Sequence, residues 1–264
     1  MTGYELLAVR YGSSQLPRSH RFTGCLEDGG QRLDYFFWLA RRPGSVVLID
    51  TGFDPAVAAG RGREIHADPI LALSALGIEP AEVTDVVLTH LHYDHAGNAR
   101  RLPNARLHVQ EAEMAYATGR RMLEPGLRAS YEAREIGAVI EALYERRVAY
   151  HDGDAVLFAG LSLHKLGGHT GGLQAVRVAT GRGQVVVASD AAHFYRNATD
   201  ALAFADPADL GASVSAGARL RELAGAAGWW VPGHDPAVME RFEAQSVTGL
   251  DCVRLDRPTR DATG

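Results

Sequence analysis

Five short apolar runs in this chain each lead to a side chain able to bind a metal ion or to support a residue that does. "SVVLID" (45–50) stops at Asp50, "DVVLTH" (85–90) at His90 and "QVVVASD" (184–190) at Asp190. "LSLHKLGG" (161–168) stops one residue short of His169, and "GWWVPGHD" (228–235) contains His234. Brief runs of this composition read as strands. In an open sheet, ligands gather beyond the strand ends, where loops converge on a rigid frame. The repetition therefore predicts one site assembled from five strand ends, and a fold that brings those ends together.

"YELLAVRYG" (4–12) and "LDYFFWLARR" (33–42) read as further strands, with no helix between them, which suggests antiparallel or mixed pairing. Helical segments follow. "DPAVAAGRGREI" (54–65) is partly helical, and "ADPILALSALG" (67–77) carries Ile70, Leu71, Leu73 and Leu76 at helical spacing. "AEMAYATGRRM" (112–122), "GLRASYEAREIGAVIEALYERR" (126–147) and "PADLGASVSAGARLRELAGAAG" (207–228) read as helices. Alternating strands and helices predict an α/β fold. The 264 residues read as a single domain, 1–264, with a helical insertion at about 111–147; the 30 residues after His234 are too few for a second domain.

Composition excludes several classes. A net charge of −5 leaves no basic footprint for nucleic acid or for an anionic membrane surface. No apolar run approaches the roughly 18 residues of a membrane span. The first residues lack the basic and apolar regions of a signal peptide, and Cys25 and Cys252 make neither a disulfide framework nor a thiolate cluster, so a cytoplasmic location is expected.

The densest chemistry lies in "LTHLHYDHAGN" (88–98), where His90, His92, Asp94 and His95 fall within six positions. So many imidazoles beside a carboxylate repel or desolvate one another without a partner. Imidazole nitrogen and carboxylate oxygen suit zinc and similar ions, about four donors to each. His90, His92 and His169 can hold one ion, and Asp94, His95 and His234 a second, with the two oxygens of Asp190 bridging. His20, His66, His108, His151 and His164 are expected to be ordinary surface or core histidines.

The motif H-x-H-x-D-H after an apolar strand resembles that of the metallo-β-lactamase superfamily. "LIDTGFDP", "THLHYDHAGN", "GGHTGG", "SD" and "VPGHDP" match in that superfamily's order and cover most of the chain. The resemblance implies an αβ/βα four-layer sandwich of two mixed β-sheets flanked by helices. It implies His90, His92, Asp94, His95, His169, Asp190 and His234 as ligands of two divalent ions, zinc first, with Mn2+, Fe2+ or Co2+ also accommodated. Asp50 matches the aspartate that orients a ligand histidine.

Within the superfamily the chain looks most like the N-acyl-homoserine lactonases, the quorum-quenching relatives. Asp190 at the bridging position, the insertion and "SDAAHFYRN" carry that likeness. Some lactonases place a tyrosine three residues after the bridging aspartate; here His193 stands there, with Tyr195 two further on. The implied reaction opens a small lactone by attack of a hydroxide bridging the ions. Asp94 would move the proton, and His193 or Tyr195 would hydrogen-bond the oxyanion. The expected partner is the lactone alone, with a monomer or homodimer both open. Phe22, Met114, Tyr131 and Phe194 are candidate apolar contacts, and the loop 12–30 a candidate roof. The rival readings are a glyoxalase II-like thioesterase or another small-ester hydrolase of this fold, a mononuclear persulfide dioxygenase, and a metal-binding sensor without turnover.

Overall fold

Period-two alternation with both faces apolar sets how the layers stack. The computed structural model describes residues 3–17, 30–200, 207–226 and 229–260. One sheet contains β1 (Glu5–Pro17), β2 (Gly30–Arg42), β3 (Ser45–Ile49), β4 (Glu64–Ile65), β5 (Asp85–Val87), β6 (Arg106–Gln110) and β7 (Val148–His151). The second contains β8 (Ala155–Phe158), β9 (Leu161–Lys165), β10 (Gln174–Thr180), β11 (Gly183–Ser189) and β12 (Trp230–Pro232). Two late strands, β13 (Phe242–Ala244) and β14 (Asp251–Thr259), return to the first sheet. Its order is β13-β14-β1-β2-β3-β5-β6-β7, with β4 added against β1; the other runs β12-β11-β10-β9-β8. Both sheets are mixed. β3, β5, β6 and β7 run parallel, as do β11 and β12, and the remaining pairs are antiparallel.

Successive side chains on a strand point to opposite faces, and here each face is buried in a different core. Leu6, Ala8, Phe36, Trp38, Val47, Ile49 and Val87 meet Leu161, Leu163, Val176, Val178, Val185 and Val187 between the sheets. Their neighbours Leu7, Val9, Tyr35, Phe37, Leu39, Leu48 and Val86 join a helix-side cluster that includes Ile70, Leu73, Ile136 and Val139. Val186 and Ala188 pack against Leu220, Leu223 and Ala224 of helix Leu210–Ala224. Helices thus cover the outer face of each sheet, which is the expected αβ/βα sandwich.

The structure refines the sequence reading in several places. The pattern at 85–90 is strand only to Val87, because the backbone leaves the sheet to form the site. Residues 126–147 are not one helix: Pro125–Arg128 and Ala133–Tyr144 are separate, as Tyr131 turns into the core between them. Part of the expected loop 12–30 belongs to the β1–β2 ladder, and 18–29 lie outside the described residues. β6, β7, β8 and β10 had no assignment from sequence. The tail after His234 completes the first sheet. No described helix is long and apolar enough to cross a membrane.

Glu135, on helix Ala133–Tyr144, is 5% exposed, and neither carboxylate oxygen has a hydrogen-bond partner. Burial, then the charges of Glu132, Asp94 and Asp54, push its pKa up to about 8 from an ordinary 4.5. The folded chain therefore holds this proton more tightly than the unfolded chain. Stability is undiminished below the ordinary value, falls as pH rises through the window between the two, and carries the full penalty above about 8. Glu135→Gln is expected to stabilise the protein above that window by on the order of a few kcal/mol, and to change little below it. Urea unfolding of both proteins at the two ends of the window checks this.

Candidate metal centre

Each candidate side chain lies just beyond a strand. Asp50 follows β3, while His90 and His92 follow β5 and lead into the single-turn helix Tyr93–Ala96, which carries Asp94 and His95. His169 lies between β9 and β10, Asp190 follows β11, and His234 follows β12. Asp50 and Ser189 both take positive φ, 59° and 47°. Such conformations cost roughly 1–3 kcal/mol and persist only when surroundings enforce them. Here hydrogen bonds do so. Asp50 Oδ1 accepts from Thr89 N at 2.7 Å, and Oδ2 accepts from Thr89 Oγ1 at 2.8 Å. Thr89 Oγ1 is also 2.8 Å from Ser189 Oγ.

His90, His92, His169 and Asp190 offer ligand atoms within 4.8 Å of one another, and so do Asp94, His95 and His234. Asp190 divides its oxygens between the two groups. Oδ1 is 3.0 Å from His234 Nε2 and 3.4 Å from His95 Nε2. Oδ2 is 3.2 Å from His169 Nε2 and 3.8 Å from His90 Nε2. Asp94 Oδ2 stands 3.7 Å from His95 Nε2 and 3.8 Å from His234 Nε2. His92 enters through Nδ1, 3.1 Å from His169 Nε2.

Outer partners fix the rings. His95 Nδ1 is 2.7 Å from Asp50 Oδ2, and His234 Nδ1 is 2.9 Å from the Asp34 carbonyl. An imidazole that donates Nδ1–H outward turns its Nε2 lone pair inward, the form that binds metal. Gly233 allows the approach: a Cβ there would fall 2.6 Å from Asp190 Oδ1 and 2.9 Å from the Ser189 backbone.

The electrostatics separate the imidazoles. Burial, reinforced by neighbouring imidazoles, holds His90 and His92 well below the ordinary histidine range. Burial also lowers His193, to about 3, despite the Asp190 carboxylate beside it. At His95 burial again disfavours charge, but Asp190, Asp94 and Asp50 outweigh it and hold the pKa well above the ordinary value. Asp190 is pushed up by burial, yet His193, His234 and His95 keep it well below the carboxylate range. The cluster thus attracts positive charge at the meeting point of its carboxylates.

His90 Nε2, His95 Nε2 and Asp190 Oδ1 are buried without a hydrogen-bond partner. Leaving such groups unpaired costs about 1–3 kcal/mol each. Divalent cations held by the two groups would satisfy all three, and the nitrogen and oxygen donors suit them. The residues present therefore fit divalent metal ions.

All seven candidate ligands, with Asp50, meet at this one place. His193 joins them, its Nε2 3.0 Å from Asp190 Oδ2. Tyr195 does not: its ring packs on Trp230, 5.0 Å between centroids, with the Arg241 guanidinium over it at 4.4 Å. The helix Tyr195–Thr199 begins there, and the ring packs against the intersheet core. Met114 and Phe194 are buried in the helix-side core, while Tyr131 lies edge-on to His92 at 4.6 Å. Phe22, His20 and Cys25 fall outside the described residues. His66, His108 and His164 bond to Ser13, Asp85 and Asp154, His151 bonds to His108, and buried Cys252 bonds to the Gln245 carbonyl. Thr89, which donates to Asp50, and Glu113, which accepts from Leu91 N and Gly172 N, were not among the expected site residues. Each is a common residue type whose importance comes from contacts distant in the chain.

Residues 30–248 match the family model of the metallo-beta-lactamase superfamily, and the chain belongs to that superfamily. Within it, the chain is 37% identical over 95 residues to the N-acyl homoserine lactonase AttM of Rhizobium radiobacter, a match spanning 31% of this chain and only 36% of that protein. It is 26% identical over 238 residues to an N-acyl homoserine lactonase of Bacillus cereus, covering 84% of this chain and 89% of the relative. A solved N-acyl homoserine lactone hydrolase, with N-hexanoyl-L-homoserine bound at its catalytic metal centre, superposes with a TM-score of 0.78 at 23% identity, over 91% of this chain and 96% of that one.

Gly233→Ala is expected to push Asp190 out of position and to lower metal affinity by roughly 10- to 100-fold with the fold retained. Asp50→Asn is expected to fall in the same range, through misorientation of His95. Competition with a chromophoric chelator, beside circular dichroism, measures both.

Proposed function

We propose that this chain is a hydrolase that opens the ring of an N-acyl-homoserine lactone, or a similarly small lactone, at a two-ion centre. His90, His92 and His169 would hold one ion, Asp94, His95 and His234 the other, with Asp190 offering an oxygen to each group. The observation that carries this reading is the division of the Asp190 oxygens between two imidazole groups. The lactonase names of its relatives and the product bound in a similar fold support the substrate class. Zinc is the first candidate, since it takes this mixed donor set without geometric preference. Bound there, such ions supply a water activated at neutral pH and Lewis acidity for the lactone carbonyl.

The chain's own residues do the rest. Asp50 holds the His95 ring in its metal-binding orientation. Asp94, whose side chain is 10% exposed, is the most open of the three carboxylates and accepts the proton destined for the departing ring oxygen. His193 is neutral at working pH, so one ring N–H is available, and its Nε2 faces Asp190 Oδ2. Its work is therefore to steady the shared carboxylate, in place of the oxyanion contact expected from its position in the chain.

A panel of acyl-homoserine lactones, thioesters and β-lactams, run with the metal-loaded protein, tests the reading. Lactone opening is expected, with Asp190→Asn lowering kcat/KM by roughly 100-fold or more and His193→Phe lowering kcat more than it changes KM. Turnover of thioesters without lactones would overturn it.

A further inference from the structure

Glu113 is the third residue of helix Glu111–Thr118 and is fully buried, yet it carries a carboxylate. Four donors from three separate segments converge on it. Oε1 accepts from Leu91 N at 3.1 Å and from Tyr131 Oη–H at 3.0 Å. Oε2 accepts from Thr170 Oγ1 at 2.6 Å and from Gly172 N at 2.9 Å. Leu91 lies between His90 and His92, and Thr170 follows His169. One oxygen is thus tied to the loop of His90 and His92 and the other to the loop of His169. Tyr131, on the first oxygen, also packs its ring against His92.

The approach is close enough to dictate sequence on the far side. A Cβ at position 172 would fall 2.2 Å from Glu113 N and 2.5 Å from its Cβ, so only glycine lets that loop reach the carboxylate. Hydrogen bonds to a charged acceptor in a dry interior are stronger than neutral ones and set geometry tightly. The other half of the centre is braced by different groups: Asp50 on His95, the Asp34 carbonyl on His234, and Tyr11 Oη–H on the Asp94 carbonyl. None of the four bonds to Glu113 involves that half.

We propose that Glu113 is a positioning residue that fixes the spacing of His90 and His92 against His169, and so sets the ion affinity of that half of the centre independently of the other. This rests on the two-ion reading above. A free carboxylate is required because both oxygens must accept: the amide of Gln would present N–H groups to donors on one side.

The test is a Co2+ titration of the chelator-stripped chain, followed by its visible spectrum and by chelator competition. His169→Ala and His234→Ala serve as references for loss from either half. The native chain is expected to take up two ions. Glu113→Gln is expected to keep one at native affinity and to weaken the other by about 10- to 100-fold, with a one-ion spectrum matching His169→Ala. Should Glu113→Gln fail to fold, Thr170→Val removes one donor of similar shape and is expected to show the same selective loss at smaller size. Equal weakening of both ions, or of neither, overturns the inference while leaving the two-ion centre standing. A native chain that takes up fewer than two ions overturns that centre and the inference with it.

Discussion

The carboxylate of Asp50 is the constraint on which the rest depends. It follows β3, accepts two hydrogen bonds from Thr89 beyond β5, and holds His95 on the following turn. Through Thr89 it reaches Ser189 at the end of β11, in the opposite sheet. One buried anion thus links three strand ends across the sandwich, and its positive φ shows that the backbone bends to put it there. A carboxylate so deep is tolerable only because every donor around it is preorganised. The same donors fix where the imidazoles stand.

Between the sheets, by contrast, the contacts are apolar and indifferent to direction. Trp38, Phe36, Val176 and Val187 keep the layers together but do not aim anything. At the site, directional side-chain bonds do the aiming. This division lets a hydrophobic sandwich tolerate a cluster of imidazoles and carboxylates that would be costly in its middle. The charges are paired with one another at the edge, where Asp94 and His169 keep partial access to solvent.

Much of this was legible in the chain. The strand-end pattern located Asp50, His90, His169, Asp190 and His234, since a strand of period two has to stop where its loop takes over. The motif from His90 to His95 leaves its first two histidines on the loop after β5 and its last two ligand candidates on the single-turn helix Tyr93–Ala96. Less was legible where long-range packing decides. β14 is ordinary in composition and acquires its place from β1, far along the chain. Tyr195 stood at a suggestive distance from Asp190, but position along the chain does not say which way a ring turns, and Trp230 with Arg241 captured it. Glu113 looked like any acidic residue in a first helical turn. Its four donors come from positions 91, 131, 170 and 172, and no local window contains them.

The sheet order also bears on synthesis. β1 precedes every other described strand, yet its neighbour on one side is β14, which follows them all. Until residues 251–259 arrive, that edge of β1 offers unpaired backbone amides to any passing strand. Val253 and Leu255, which help close the intersheet core, are missing for just as long. The nascent chain therefore carries a sticky flank while the strands between β1 and β14 are made. β14 acts as a latch that closes this flank of the sandwich only after the strands between have been made.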